Sequence, residues 1–343
     1  MSKRDYYFDN AKFILIVFVV FGHFLRSYIS DSPPIFALYA SIYLFHMPAF
    51  VLVSGFFAKS FYKKGYVKKT AQKILLPFFT FQIIYSIFYF YLYETRSFEL
   101  DLLIPHWSLW FLLSLFFWNV LLLISVKWLK LPASILLPFT FIAGVTVSCI
   151  PHHLDVLSFA RTFVFFPFFL VGYYLKKEHF QFLSRKMIKI PLLLSAILIF
   201  FVAYTHSDFD FNWFFGSISY ADLSVTNGEG MITRIVLYVL NFIMIAFFFA
   251  FVPKKKFFFT AWGKNTLYVY LLHGFIIKSF RDSDFQDGTE SIIVLLTFSL
   301  LLTMLLSSSV VTTITQPFIE AKWTKFKELF HHQSNSKNMS EKQ

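Results

Sequence analysis

Stretches of about twenty apolar residues recur along this chain from residue 11 to residue 315, with short charged segments between them. In hydrocarbon such a stretch has one local solution, the α-helix, which satisfies each backbone N–H and C=O within the segment. Composition excludes an ordinary soluble domain, since 57% of the 343 residues are hydrophobic, 22% aromatic and only 15% charged. The sequence therefore predicts an all-α polytopic integral membrane helical bundle with about ten transmembrane helices. The spans fall near 11–29, 35–58, 74–93, 107–128, 133–150, 159–175, 190–204, 233–252, 261–280 and 291–315.

Charge sets an orientation. Lys59, Lys63, Lys64, Lys68, Lys69 and Lys73 crowd one connection, and further basic groups fill alternate connections around Lys127, Lys176, Arg185 and Lys254. Most acids, among them Asp101, Asp208, Asp210, Asp222, Asp282 and Glu290, fall in the other set. The positive-inside rule then puts the N- and C-termini in the cytoplasm of a multi-pass cell-membrane protein. The net charge of +12 follows from this topology, and basic residues so dispersed, without a recognition motif, argue against a nucleic-acid partner. The lone Cys149 excludes an internal disulfide and a thiolate metal cluster. No small-residue cleavage site follows the first span, so it is expected to be retained. Residues 1–330 are read as one membrane domain and the polar segment 331–343 as a disordered cytoplasmic tail.

Within the first span, Lys12 and His23 are eleven positions apart. At ~100° per residue they share one helix face, ~16 Å apart along the axis. An ionisable group at that depth is costly and marks a functional candidate. The bland readings are a snorkelling lysine and a neutral histidine bonded to a neighbouring helix. The long outer connection 206–232 mixes Trp213, Phe214, Phe215 and Tyr220 with hydroxyls and carboxylates, which suits a sugar site and an interfacial aromatic belt alike.

Several segments carry a resemblance as a set. Arg4-Asp5-Tyr6-Tyr7-Phe8-Asp9-Asn10-Ala11-Lys12 leads into an apolar run ending Phe21-Gly22-His23, and the second span contains His46-Met47-Pro48 followed by Ser54-Gly55-Phe56. His106-Trp107-Ser108-Leu109-Trp110 opens the fourth span, Arg161-Thr162 the sixth, and Leu271-Leu272-His273 ends a run in the ninth. In this order the segments resemble the membrane-bound acyltransferase 3 family, whose signature is Arg or Lys, ten residues, then His. Within it the chain looks most like the stand-alone sugar O-acetylases of the fucose 4-O-acetylase type, and is expected to lack the extracytoplasmic esterase-like domain of some relatives.

The resemblance implies transfer of an acyl group, usually acetyl, from cytoplasmic acyl-CoA to a hydroxyl of an extracytoplasmic glycan or other envelope molecule. Acetyl-CoA is then a co-substrate, and no bound cofactor or metal is expected. His23 is the general base, because an imidazole is the side chain suited to deprotonating an alcohol at neutral pH. Lys12, with Arg4, is expected at the CoA phosphates, as a point charge where the family's usual arginine would offer a fork. Arg161, Trp107, Trp110, His46, Ser54 and His273 are the acceptor-side candidates. Each also has a structural reading: a carbonyl clamp for Arg161, interface anchors for the tryptophans, interhelical hydrogen bonds for the histidines and close helix contact for Ser54 and Gly55. His23, His46 and His273 reach similar depth, yet no carboxylate is near in sequence and no two share a helix, so no metal is assigned. A transporter or flippase of a lipid-linked sugar is the competing class, although no repeated half or paired interrupted helices are visible.

Overall fold

A computed structural model describes residues 6–94, 97–98, 100–151, 154–286 and 289–324; Arg4 and the 331–343 tail lie outside them. The described chain is helical, with no strand among the described residues. Among the described residues thirteen α-helices follow one another: α1 (Tyr6–Leu25), α2 (Pro33–Tyr43), α3 (His46–Phe57), α4 (Tyr66–Leu92), α5 (Trp110–Leu122), α6 (Ala133–Thr146), α7 (Phe159–Tyr174), α8 (Lys177–Leu183), α9 (Lys186–Thr205), α10 (Asn227–Phe251), α11 (Thr266–Arg281), α12 (Ile292–Leu306) and α13 (Ser309–Glu320).

All ten apolar segments of the sequence are helical, yet not all are equal. Among the described residues seven helical stretches are long and apolar enough to cross a membrane, or eight when the bent pair α12–α13 counts as one span. The segment from Ala133 and the 16-residue α11 are shorter. One expected single span keeps a local break in its helix while still forming one crossing, and another is sharply bent. The second span has its break at Leu44 and Phe45, between α2 and α3. Pro48 supplies the reason: it has no N–H for the Leu44 carbonyl, and its ring occupies the space that carbonyl needs in a continuous helix. The break leaves His46 as the first residue of α3, its Nδ1 2.9 Å from the Ile42 carbonyl oxygen. The last span bends by 65° between α12 and α13. Here Ser308 caps α13 by accepting from the Val311 N–H, and the Asn265 amide donates to the Ser307 carbonyl at 2.8 Å.

α1 occupies the centre, packed against α2, α3, α11, α12 and the 3₁₀ segment Phe258–Lys264. In its apolar window 78% of residues are buried, against 11% for α9, which faces outward. Its first turns are pinned by polar bonds that a bilayer cannot replace with water. Asn10 donates to the Pro253 and Lys255 carbonyls and accepts from the Thr260 hydroxyl, while the Tyr7 hydroxyl donates to the Phe249 carbonyl. The register of the functional face of α1 is thereby fixed.

Around this axis, α3 and α7 approach at a glycine contact that explains Gly55. A β-carbon at Gly55 would lie 1.9 Å from the Phe169 carbonyl oxygen, and one at Gly172 would lie 1.9 Å from that of Leu52. Close helix approach of this kind is how small residues join membrane helices when water cannot drive them together. Gly55→Ala or Gly172→Ala is expected to destabilise the fold by roughly 1–3 kcal/mol through overpacking. Thermal unfolding of the detergent-solubilised variants checks this, and an unchanged melting temperature would contradict the contact.

Candidate functional site

Two cavities lie against the polar face of α1. The first, of about 390 Å³, is lined by Lys12, Ile16, Val19, Ser54, Phe57, Lys73, Phe111 and Tyr270, among others, and apolar side chains form most of its wall. Lys12 and Lys73 supply its cations. The Lys12 ammonium lies 3.1 Å from the Asp9 carboxylate, one turn back, and 5.8 Å from the centroid of the Phe57 ring. Asp9 and Lys12 thus form an ion pair within α1 itself. Ser54 faces this cavity too, but its hydroxyl donates to the Phe50 carbonyl at 2.9 Å within its own helix. The Tyr66 hydroxyl donates to the Asn119 side-chain oxygen at 2.7 Å on the same wall.

The second cavity, of about 270 Å³, is lined by His23, Arg26, Tyr43, His46, Trp107, Trp110, Arg161, Lys278 and Arg281. Val19, Met47 and Tyr270 line both cavities, so the two meet at these three side chains. The Tyr270 hydroxyl donates to the Ser108 carbonyl, which holds the ring at this neck.

His23 is enclosed by aromatic rings rather than lipid. Its ring centroid lies 4.5 Å from Trp107, and 5.4 Å from His273 in a stacked arrangement. Its Nδ1 faces the Tyr43 hydroxyl at 3.2 Å, and the Tyr43 ring is in turn edge-on to His46 at 4.5 Å. Trp107 can come this close because a β-carbon at Gly274 would lie 2.6 Å from its ring. His46 and His273 each place Nδ1 on the carbonyl four residues back, Ile42 and Val269, so both are Nδ1–H donors and each Nε2 carries a lone pair. His273 Nε2 is buried with no hydrogen-bond partner. Among the described residues no group of three His, Cys, Asp or Glu side chains is arranged to hold a metal ion.

The connection after α9 closes over this second cavity, with Phe214 and Phe215 in its wall. Arginines from separate helices hold it. Arg161 on α7 donates from Nε to the Phe215 carbonyl at 3.3 Å and from Nη2 to the Ser217 hydroxyl at 3.2 Å, with its guanidinium 5.1 Å from the Trp110 ring. Arg234 on α10 donates to the Trp213 carbonyl at 3.0 Å, and Arg26, just past α1, lies 3.6 Å from the centre of the Phe211 ring. The carbonyl-clamp reading of Arg161 and a place beside the cavity are thus combined in one side chain.

Sequence reading missed Tyr43, Lys73, Arg26, Lys278 and Arg281. Arg26 is one turn beyond His23, and Lys278 and Arg281 are one turn apart, so their shared faces are visible in spacing. Nothing in spacing says what those faces meet.

A helical membrane bundle with a polar seam bridged by two abutting cavities defines the class, and comparison supplies the family. A family model described as an acyltransferase domain matches residues 5–313, and the chain belongs to this acyltransferase 3 family. It is 28% identical over 201 residues to the nodulation protein NolL of Sinorhizobium fredii, covering 50% of this chain and 49% of the relative. It is 39% identical over 83 residues to NolL of Mesorhizobium japonicum, covering 22% of each. The chain thus spans about half or less of the length of the curated relatives it matches. No solved structure matches it significantly.

Arg161→Lys is expected to loosen the aromatic connection, because one ammonium cannot reproduce the forked pair of bonds to Phe215 and Ser217. Hydrogen exchange should quicken across residues 211–217 and stay unchanged in α1; equal protection in both proteins would refute the clamp.

Proposed function

We propose that the protein is a membrane O-acyltransferase that carries an acyl group, normally acetyl, from cytoplasmic acyl-CoA to a hydroxyl of an extracytoplasmic glycan or other envelope molecule. The observation that carries this reading is the meeting of the two cavities along one face of α1, with Lys12 on one and His23 on the other. The first cavity suits the donor. Its apolar wall would sheathe the pantetheine arm while Lys12 and Lys73 remain at the end where CoA phosphates, too polar for hydrocarbon, must stay. On this reading the N-terminus is cytoplasmic and the protein resides in the cell membrane.

In the second cavity His23 takes the proton from the acceptor hydroxyl. The oxygen attacks the thioester carbonyl, the C–S bond breaks as the tetrahedral intermediate collapses, and the imidazolium returns its proton to the departing thiolate. For Nε2 to accept a proton, Nδ1–H must donate to the Tyr43 oxygen, so Tyr43 orients the ring in the role a carboxylate often fills elsewhere. Enclosure by Trp107, Tyr43 and His273 keeps water from competing with the acceptor for the thioester.

Two variants separate the halves of this reading. His23→Ala in the purified protein should lower kcat for transfer from radiolabelled acetyl-CoA by roughly 10²–10⁴ at unchanged expression. Wild-type turnover in that variant would remove the base assignment. Lys12→Ala should leave kcat nearly intact and raise KM for acetyl-CoA roughly five- to tenfold; an unaltered donor KM would count against the phosphate contact.

A further inference from the structure

The second cavity carries four cations, Arg26, Arg161, Lys278 and Arg281, and no carboxylate lines it. Arg26, Lys278 and Arg281 share its wall, and Arg281 lies near enough to both Arg26 and Lys278 for their charges to interact. Among the described residues none of the four is in an ion pair. Asp155 acts on Arg161 from a distance, and Asp282, next to Arg281, is exposed and acts on Tyr93. Like charges gathered at a low-dielectric wall destabilise the empty protein, and a bound anion offsets that cost.

Their donors are only partly used. Arg161 directs two of its donors to the Phe215 carbonyl and the Ser217 hydroxyl. Arg281 donates one Nη2 bond to the His23 carbonyl at 2.5 Å, and its Nε is buried with no partner. Among the described residues the Lys278 ammonium meets ring faces, 5.5 Å from Trp107 and 5.7 Å from Tyr89. Arg26 meets the Phe211 face. The transient oxyanion of a thioester would occupy one or two donors, fewer than this set offers. The CoA phosphates belong to the other end of α1, ~16 Å along the helix and beyond the neck.

Resting on the acyltransferase reading above, we propose that the acceptor is an anionic carbohydrate, a glycosyl unit bearing a phosphate or carboxylate that Arg26, Lys278 and Arg281 hold beside His23. The anion fixes the sugar by one end, and the hydroxyl within reach of the imidazole becomes the one acylated. Steering by the same charges raises the local concentration of such an acceptor in the cavity.

The test uses the full chain reconstituted in nanodiscs, acetyl-CoA, and three acceptors built on one sugar: the neutral methyl glycoside, the matching uronic acid and the 1-phosphate. One of the charged acceptors should exceed the neutral one in kcat/KM by roughly tenfold or more, and Lys278→Gln should bring that ratio near unity by raising KM for the charged acceptor. Arg281→Gln should do the same; because its guanidinium also holds the His23 carbonyl, Lys278→Gln carries the test if that variant does not fold. Titration calorimetry of the same three sugars without acetyl-CoA gives a readout independent of turnover. Transfer with no preference among the three, or a ratio that Lys278→Gln leaves intact, overturns the anionic acceptor and spares the acyltransferase. Tighter binding of a charged sugar that Lys278→Gln abolishes, with no acetyl transferred to any, upholds the anion site and sinks the acyltransferase reading.

Discussion

Enclosure of α1 is the constraint on which the rest depends. A helix carrying Lys12 and His23 cannot face lipid without a large desolvation cost, so other segments must surround it. The bundle does this with α2, α3, α11, α12 and the Phe258–Lys264 segment, while α9 is left to meet the bilayer. The Asn10 bonds to the 253–260 segment fix the rotation of α1, which aims one face at the cavities. Every distance quoted for His23 follows from that fixed rotation.

Enclosure also produces a division of labour along the axis. The lysine end has an apolar cavity and the histidine end a cationic, aromatic one, and they meet at Val19, Met47 and Tyr270. On the proposed acyltransferase reading, a donor and an acceptor reaching the protein from opposite sides would need such a meeting point. The Tyr270 bond to the Ser108 carbonyl holds one of these shared side chains in place. Broken helices contribute as well. Pro48 interrupts the second span so that His46 begins a new helix beside Tyr43, at a depth where a continuous helix would carry no free end.

The aromatic connection after α9 shows how one segment serves packing and site together. Trp213 is buried, Phe214 and Phe215 wall the cavity, and Arg161, Arg234 and Arg26 fasten them. A sugar surface and an interfacial belt were both consistent with its composition. In the structure it lies over the cavity, where the arginine clamps hold it.

The helical class, the ten apolar segments and the pairing of Lys12 with His23 on one face were legible in the sequence, because hydropathy and a fixed rise per residue are local properties. So was the family signature, which is carried by short contiguous runs. The breaks at Leu44 and Ser307 were only half legible: Pro48 and the Ser307–Ser308–Ser309 run are present in the sequence, but whether they bend a span depends on who takes the released carbonyls. The placing of Tyr43 against His23 and the gathering of Arg26, Lys278 and Arg281 around one cavity were decided by tertiary structure alone. They join groups up to 258 residues apart, such as the Arg281 guanidinium on the His23 carbonyl, through the rotation and crossing of helices. Periodicity states which residues share a face; only packing states what that face meets.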